Sequence, residues 1–362
     1  MATEYRYAMP VAQTNWVVNG NMDTTFRWEY EDGRDSLLSL YDKGKKQQWD
    51  AAERIDWSLD LDPENPMLLP DQAISIFGSP IWEKLTQKER NNVRRHGQAW
   101  QISQFLHGEQ GALVCTAKIV QQVPNIDAKF YAATQVMDEA RHVEAFSKLL
   151  HNKFELAYPI NPQLKTLLEQ IITDSRWDFT YLGMQVLVEG LALAAFQRIR
   201  DFSQNKLAAS VNAYVMQDEA RHVAFGRLAL RDYYPQLTQA ERDEREEFAV
   251  EACWLMRDRF LAEELWETVG LDAKACVDYS RDSSTMSHFR GRLFSRIVPT
   301  IKDIGLWGPK IQDAFTKMGV IDLAQLDSGV MLAQDAKVAD DFDKELAKRR
   351  AEIEKTAQAA AD

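Results

Sequence analysis

Cysteine is scarce in this chain of 362 residues, which contains only Cys115, Cys253 and Cys276. Three cysteines without a CxxC pair do not make a disulfide framework, so a disulfide-stabilised secreted fold is excluded. Long apolar runs are also missing, and none approaches the roughly 18 residues that span a bilayer, so no membrane span is expected. The first residues lack a basic segment followed by an apolar one, which argues against a secretory signal. These absences together predict a cytoplasmic protein.

Basic residues are the minority among the charges. Lysine and arginine total 43 against 55 aspartates and glutamates, which gives a formal net charge of −12. An acidic surface repels phosphate backbones and anionic lipids, so binding to nucleic acid is not expected. Apolar residues make up 45% of the chain and aromatic residues 10%, which is enough for a sizeable core and excludes global disorder.

Proline and glycine are sparse, at 11 and 16 residues, and strand-like alternation is hard to find. Apolar residues instead recur at i, i+3, i+4 and i+7, which predicts an all-α fold. A short helix is expected at about 36–48, and long helices are expected at about 86–122, 127–155, 163–203, 206–232 and 239–268. We predict three regions: an N-terminal arm and short helix at 1–70 that pack on the core, a helical bundle at 71–270, and a helical extension at 271–362 that ends in a charged, solvated helix.

An internal repeat organises the middle of the chain. The hexapeptide Asp-Glu-Ala-Arg-His-Val occurs at 138–143 and again at 218–223, a displacement of 80 residues. The same displacement carries Glu109 onto Glu189. The chain therefore contains two similar helical hairpins, each with a lone glutamate on its first helix and Glu-x-x-His on its second.

The repeated glutamates and histidines occupy positions that helical periodicity assigns to the core. Glu139 and His142 are three residues apart, so they share one helix face, and the rest of that face is apolar. The second copy and both lone glutamates follow the same pattern. Arg141 and Arg221 are expected to pair with the aspartate three residues earlier or to face solvent.

The spacing of the glutamates adds an independent constraint. Glu109 and Glu139 are 30 residues apart, as are Glu189 and Glu219, and the midpoints fall in turn-like segments at Pro124 and at residue 204. Arms of about 15 residues, or ~22 Å, would bring the two carboxylates of each hairpin level with each other. Two stacked hairpins would then place four carboxylates and two imidazoles at one height inside a four-helix bundle.

Four buried carboxylates without partners would be very costly to remove from water. Two divalent cations would balance their charge and also give the imidazoles a partner. Oxygen-rich ligands with imidazole suit iron or manganese better than a soft metal. The sequence therefore predicts a two-metal site in the core.

Residues 100–230 resemble the ferritin-like di-iron carboxylate superfamily, whose bundles use one glutamate from each of two helices and Glu-x-x-His from the other two. The duplicated Asp-Glu-Ala-Arg-His resembles its oxygen-activating branch: multicomponent monooxygenase hydroxylases, arylamine N-oxygenases, acyl-carrier-protein desaturases and relatives of the ribonucleotide reductase small subunit. This resemblance implies a ferritin-like four-helix bundle with additional flanking helices.

The resemblance also implies roles for individual residues. Six are the expected ligands, three for each metal: Glu109, Glu139 and His142 for one, and Glu189, Glu219 and His222 for the other. Glu139 and Glu219 are expected to bridge the metals. Asp138 and Asp218 are each expected to orient the ligand histidine of the opposite half.

The activity implied is that of a non-haem di-iron oxygenase or oxidase with two iron ions and O2 as co-substrate, manganese being the alternative metal. The expected substrate is a small or medium-sized, largely apolar organic molecule that undergoes C–H hydroxylation, N-oxygenation or desaturation. No flavin or iron–sulfur motif is visible, so a ferredoxin or reductase is expected to deliver electrons. A homodimer is the expectation at family level. Five small or apolar residues near the ligands are expected to line a substrate pocket: Ala112, Cys115, Phe146, Leu193 and Phe196.

Particular positions bear on the alternatives. Radical-generating subunits carry a tyrosine four residues after the first ligand histidine, where this chain has Phe146, and the equivalent position in the second half is Gly226. Arylamine N-oxygenases often add a histidine one or two turns before the second Glu-x-x-His, where this chain has Val215 and Asn212, so that subclass is disfavoured. A ribonucleotide-reductase-like radical subunit, a manganese/iron oxidase subunit and a non-catalytic helical scaffold remain alternatives.

Overall fold

Helices build the fold: the computed structural model describes residues 8–9, 17–20, 22–26, 35–338 and 340–359, and those ranges contain no β-strand. The α-helices are α1 Asp35–Lys46, α2 Ala51–Arg54, α3 Pro80–Lys84, α4 Gln87–Gln122, α5 Ile126–Leu149, α6 Pro162–Thr173, α7 Trp177–Phe202, α8 Lys206–Tyr233, α9 Gln239–Asp258, α10 Glu263–Thr268, α11 Ala273–Asp282, α12 Ser284–Leu293, α13 Ile297–Asp303, α14 Pro309–Lys317, α15 Ser328–Asp335 and α16 Asp340–Ala359. Short 3-10 turns lie at Asp71–Ala73, Tyr234–Gln236, Arg259–Leu261 and Ile321–Gln325, and a π-helical turn at Leu150–Phe154 follows α5. The predicted all-α, ferritin-like class is confirmed.

Two hairpins form the centre of the molecule, and their turns lie where the spacing predicted them. Helices α4 and α5 are joined at residues 123–125, and α7 and α8 at residues 203–205. Thr86 caps the start of α4 in a capping box with Glu89, and Asn205 accepts a hydrogen bond from Ala208 N at the start of α8. The two hairpins pack together through α5 and α8, and α1 packs across both of these helices.

The predicted single helix over 163–203 is wrong, because the chain breaks at residues 174–176 between α6 and α7. Lys118 of α4 stabilises the break: its buried ammonium donates to the carbonyl oxygens of Ile171 and Ile172 at 3.1 and 2.9 Å. These carbonyls lie at the end of α6 and have no later helical turn to bond to. The predicted helix over 239–268 is also interrupted, at Ala262, where φ is 50°.

Helix α7 carries a local change of winding next to the predicted site. Its Tyr181–Val188 segment is π-helical, and regular α-helix resumes at Glu189. Helix α7 is also long and apolar enough to cross a membrane by composition, yet 94% of its apolar window is buried inside the protein. It is therefore placed as a core helix of the bundle.

The chain termini bear on the predicted arm and tail. Of the aromatic residues expected to anchor the N-terminal arm, Tyr5, Tyr7, Trp16, Trp28 and Tyr30 lie outside the described residues, and Phe26 is 82% exposed. The C-terminal helix α16 is not simply solvated, because its Asp343 pairs with Arg54 of α2 at 2.6 Å. The division at 70 and 270 stays a prediction.

Candidate metal centre

The six predicted ligand residues come together in the core between the two hairpins. Each side chain is at most 5% exposed. Within 4.8 Å of one another, ligand atoms form two groups that share one glutamate: Glu109, Glu139, His142 and Glu219 in the first, and Glu139, Glu189 and His222 in the second. The structure thus brings together every residue that the repeat singled out.

Both histidines turn the same ring nitrogen towards the carboxylates. Nδ1 of His142 lies 3.2 Å from Glu109 and 3.1 Å from Glu219. Nδ1 of His222 lies 3.0 Å from Glu139 and 3.4 Å from Glu219. Glu139 also lies 3.4 Å from Nδ1 of His142. Glu139 and Glu219 are therefore each close to both imidazoles, whereas Glu109 pairs with His142 alone.

Several polar atoms of this cluster have no hydrogen-bond partner among the described residues. They are Oε2 of Glu139, Oε2 of Glu189, both carboxylate oxygens of Glu219 and Nδ1 of His222. Buried polar atoms without a partner are rare in folded proteins, because each costs desolvation energy that no hydrogen bond returns. Metal ions need electron-pair donors of this kind, so the cluster fits a dimetal site.

Burial controls the protonation of the two lone glutamates. It raises the pKa of Glu109 and Glu189 well above the usual range of glutamic acid, and the charge of Glu219 adds to the effect at both. Burial acts in the same direction at Glu139, but there His222 and His142 outweigh it and lower the pKa of that carboxyl. The carboxyls of the lone glutamates therefore ionise less readily than that of Glu139.

The two imidazoles are held in their charged form by the surrounding carboxylates. Burial opposes this, yet hydrogen bonds to Asp218 and Glu109 raise the pKa of His142 well above its usual range. The charges of Glu139 and Glu219 do the same for the pKa of His222. Protons thus partly balance the negative charge of the cluster, a role that divalent cations would take over.

An outer network of aspartates and arginines joins the two halves. Nε2 of His142 donates to Asp218 at 3.1 Å, and Nε2 of His222 donates to Asp138 at 3.3 Å. Arg221 pairs with Asp218 at 2.6 Å, and Arg141 pairs with Asp138 three residues earlier, as expected from the repeat. Each arginine also reaches the aspartate of the other half, at 3.0 and 3.3 Å.

The segment after α1 closes this network from outside the bundle. Gln48 donates to Asp138 at 2.8 Å and accepts from Arg141 at 2.7 Å. Trp49 Nε1 donates to Asp218 at 2.8 Å. Sequence reasoning missed these residues, because the tripeptide Gln47–Trp49 has no periodicity or motif that links it to helices about 90 and 170 residues away.

Gln135 is a further residue that sequence reasoning missed, although a signal existed. It precedes Glu139 by four residues and therefore lies on the same helix face. Its side-chain amide donates to Glu139 at 3.0 Å and to Glu189 at 2.9 Å, so it ties a glutamate of one hairpin to a glutamate of the other.

The two sides of the cluster along the bundle axis differ in polarity. On one side, Phe105, Phe146 and Phe196 pack with ring centroids 4.8–5.7 Å apart. On the other side lie Gln135 and Gln185, and the amide of Gln185 is buried without a hydrogen bond among the described residues. The phenylalanine cluster is a dry wall, whereas the glutamine side has unused hydrogen-bonding capacity.

The five residues predicted to line a substrate pocket are all buried, from 0 to 3% exposed: Ala112, Cys115, Phe146, Leu193 and Phe196. Phe146 and Phe196 belong to the phenylalanine cluster. A well-formed apolar pocket of the described residues has other walls, further along α4, so the pocket role of these five stays a prediction.

The remaining histidines lie away from the cluster, as their positions on the helices indicated. His107 donates to the carbonyl of Tyr158 at 2.9 Å, and His96 meets the hydroxyl of Tyr158 at 2.8 Å. His151 contacts Ser147 at 3.1 Å, and His288 is exposed. None of the four belongs to either metal-ligating group.

The helical bundle and its buried glutamate–histidine cluster define the class of ferritin-like dimetal carboxylate proteins. The family model described as "P-aminobenzoate N-oxygenase AurF" matches residues 31–305, about three quarters of the chain. The chain belongs to this family, and it is a non-haem di-iron oxidoreductase of the oxygenase and oxidase type. The resemblance to the ferritin-like di-iron superfamily is thereby confirmed.

Solved structures similar to this chain include three ferritin-like proteins. An R2-like ligand-binding oxidase variant with a Mn/Fe cofactor is 19% identical, with 76% of this chain and 96% of that chain covered and a TM-score of 0.48. A protein from Synechococcus with aldehyde deformylating oxidase activity is 15% identical, with coverage of 62% and 97% and a TM-score of 0.45. The ribonucleotide reductase Rnr4 homodimer from Saccharomyces cerevisiae is 16% identical, with coverage of 79% and 83% and a TM-score of 0.45. No curated protein matches the chain.

The family match corrects one expectation from the sequence. Val215 and Asn212 disfavoured the arylamine N-oxygenases, yet the chain belongs to the family that carries this description. Family membership is decided over some 275 matched residues, whereas the argument rested on one additional ligand. Asn212 is fully buried and its amide donates to the carbonyl of Ala208 at 2.8 Å, so this position packs within its own helix.

Proposed function

We propose that this chain uses O2 and a di-iron centre to oxidise a small or medium-sized, largely apolar organic molecule. N-oxygenation of an amine is the favoured reaction because of the family description, with C–H hydroxylation and desaturation as the other members of the same chemistry. The single observation that carries the proposal is the convergence of unpaired carboxylate oxygens and an unpaired imidazole nitrogen in one buried cluster.

In this proposal each metal has three protein ligands. Glu109, Glu139 and His142 hold one ion, and Glu189, Glu219 and His222 hold the other. The bridging role of Glu139 and Glu219 is supported by their position within 3.4 Å of both imidazoles. When bound, two ferrous ions supply the electrons and open coordination positions with which O2 is activated.

The chain itself positions the ligands and keeps water away. Because Nε2 of each histidine donates to an aspartate, Nδ1 is left as the electron-pair donor towards the metal. Gln135 fixes the orientation of Glu139 and Glu189 by donating to both. The phenylalanine cluster closes one side of the site with apolar surface, which favours an apolar substrate and excludes bulk water.

The proposal includes partners and surroundings. An external ferredoxin or reductase would restore the ferrous state after each turnover. A homodimer and a cytoplasmic location belong to the same proposal. Sedimentation equilibrium tests the first of these two, and fractionation of the producing cell tests the second.

A single-turnover experiment tests the reaction. The protein is loaded anaerobically with two equivalents of Fe(II), given either 4-aminobenzoate or 4-ethylbenzoate, and mixed with 18O2. We expect rapid oxidation of the iron in optical stopped flow and an 18O-labelled product, with the amine favoured over the alkyl compound. A Glu189→Gln variant should lose the product, whereas Glu251→Gln, a change at an exposed residue of α9, should keep it.

Two results would replace the proposal with its rivals. A persistent tyrosyl radical signal in electron paramagnetic resonance after aerobic iron loading, without a labelled product, would identify a radical-generating subunit. Absence of iron binding after anaerobic loading would leave a helical scaffold. Elemental analysis after growth with both metals distinguishes Fe/Fe from Mn/Fe occupancy.

A further inference from the structure

An apolar pocket lies further along the bundle, on the side of the phenylalanine cluster. Its walls come from α4, α7, α10, α12 and the loop before α3, and it encloses about 820 Å³ of space with its open mouth included. Large apolar side chains dominate its walls, among them Trp100, Phe260, Leu265, Trp266 and Phe289. A pocket of this size and lining is typical of sites for small organic molecules.

The charge inside this pocket is of one sign. Among the described residues that line it, the charged ones are Arg94 and Arg198, and no carboxylate is present. Arg94 is neutralised outside the pocket by Asp71 at 2.7 Å. Arg198 forms no ion pair with any described residue: its guanidinium donates to the carbonyl of Ala73 at 2.6 Å and lies over the ring of Phe289 at 4.7 Å.

A second arginine extends the positive region at the mouth. Arg198 and Phe289 also line an adjoining pocket, which contains Arg292 and, among its described residues, no carboxylate. Arg292 lies over the ring of Phe202 at 5.1 Å and forms no ion pair within the described chain. Burial, and then the charge of Arg292, lowers the pKa of Arg198 to about 10, so an anion placed here would relieve both effects. An unbalanced positive region is unexpected in a chain whose net charge is −12.

The position of the pocket relates it to the metal centre. Gln101 lines the pocket, Phe105 follows it by one turn of α4, and Glu109 follows Phe105 by one turn more. Two turns correspond to a rise of about 12 Å. Phe105, packed edge-to-face on Phe196 at 4.8 Å, therefore stands between the pocket and the cluster.

We propose that this pocket binds the substrate as an elongated organic anion, with its negatively charged end on Arg198 and its apolar body directed towards Phe105. Guanidinium groups recognise carboxylates through two parallel hydrogen bonds, and Arg198 has donors left for such a contact. The word substrate rests on the proposed function, but binding itself can be measured without turnover. A failure of one proposal is therefore distinguishable from a failure of the other.

The test is calorimetric titration of the full chain, with and without iron and under nitrogen, by three molecules of similar shape: 4-phenylbutanoate, 4-phenyl-1-butanol and 4-phenylbutylamine. We expect the acid to bind at least about tenfold more tightly than the alcohol or the amine, as the loss of one charged hydrogen bond implies. Arg198→Gln should remove this preference and keep the affinity for the alcohol. Arg198→Lys should retain most of the preference.

Arg200 offers a matched control, since it lies two residues further along α7, pairs with Asp201 and does not line the pocket. Arg200→Gln should bind the acid as the unaltered chain does. Equal binding of acid, alcohol and amine would overturn the proposal, as would an acid preference that survives Arg198→Gln. Acid binding that requires iron and ignores Arg198 would place the anion on the metals and also overturn it. Retained alcohol binding shows that the Arg198→Gln pocket is folded, and loss of alcohol binding in that variant but not in Arg198→Lys would contradict a purely electrostatic role.

Discussion

Asp218, in the second copy of the repeat, accepts a hydrogen bond at 3.1 Å from Nε2 of His142, in the first copy. The reciprocal bond runs from His222 to Asp138 at 3.3 Å. Each half of the duplicated unit therefore orients the imidazole of the other half. Neither hairpin can form a complete metal site by itself, which gives the duplication a physical purpose.

This reciprocity predicts that changes at the two aspartates affect metal binding. Asp218→Asn and Asp138→Asn should each weaken iron binding about 10- to 100-fold, because an amide holds the imidazole less firmly in the required tautomer. Iron retention is measured by equilibrium dialysis against a competing chelator. Asp201→Asn, in which the lost partner is Arg200, is the control and should bind iron normally. Normal iron binding in both test variants would remove the proposed role of the aspartates.

Metal removal should destabilise the protein, because the cluster holds carboxylates and an imidazole nitrogen that lack other partners. Free iron at about 100 times its dissociation constant would stabilise the folded state by about 2.7 kcal/mol, which chelation then removes. Thermal unfolding of the iron-loaded and chelated protein measures the difference. An unchanged unfolding temperature would favour the helical scaffold.

Gly226 should tolerate no larger side chain. A Cβ at this position would lie 2.5 Å from Cβ of Gln185, in the π-helical segment of α7. Gly226→Ala should therefore lower the free energy of unfolding by about 1–3 kcal/mol in urea titrations, as overpacked cores do. Gly108→Ala adds the same methyl group where no atom lies within 4 Å, and it should raise the free energy of unfolding by about 0.5–1 kcal/mol. Equal effects of the two changes would contradict the packing described for α7.

The three thiols should be inert in the native protein. Burial raises the pKa of Cys115 to about 12 and that of Cys276 to about 11, and it also raises the pKa of Cys253. An ordinary thiol is about a quarter ionised at pH 8, whereas a pKa near 12 leaves roughly one thiolate in ten thousand. Reaction with a chromogenic disulfide reagent at pH 8 should be slow for the folded chain and complete at three thiols in denaturant. A thiol that reacts at an ordinary rate in the folded chain would contradict the burial described here.

The candidate site could be predicted from sequence because it depends on helical periodicity. A spacing of 30 residues between Glu109 and Glu139, and between Glu189 and Glu219, sets the level of each carboxylate once the turn lies midway. The turns lie there, and the six side chains meet. Gln135 could have been found by the same periodicity.

Other features depend on tertiary contacts that no local pattern records. The break between α6 and α7 lacks proline and glycine and is stabilised by Lys118 from a different helix. Gln48 and Trp49 reach the aspartates only because α1 packs across both hairpins. The absence of an additional histidine at Asn212 or Val215 was a poor guide to the family, because one ligand position says little about the rest of the chain.

The central claim is that Glu139 and Glu219 bridge two iron ions between the hairpins. Mössbauer spectroscopy of the chain loaded with 57Fe(II), before and after exposure to O2, tests it most directly. The unaltered chain should bind two irons that oxidise together and couple magnetically, whereas Glu139→Ala and Glu219→Ala should each lose that coupling and bind fewer than two irons. Two irons with unchanged spectra and unchanged oxidation by O2 in both variants would contradict the assignment.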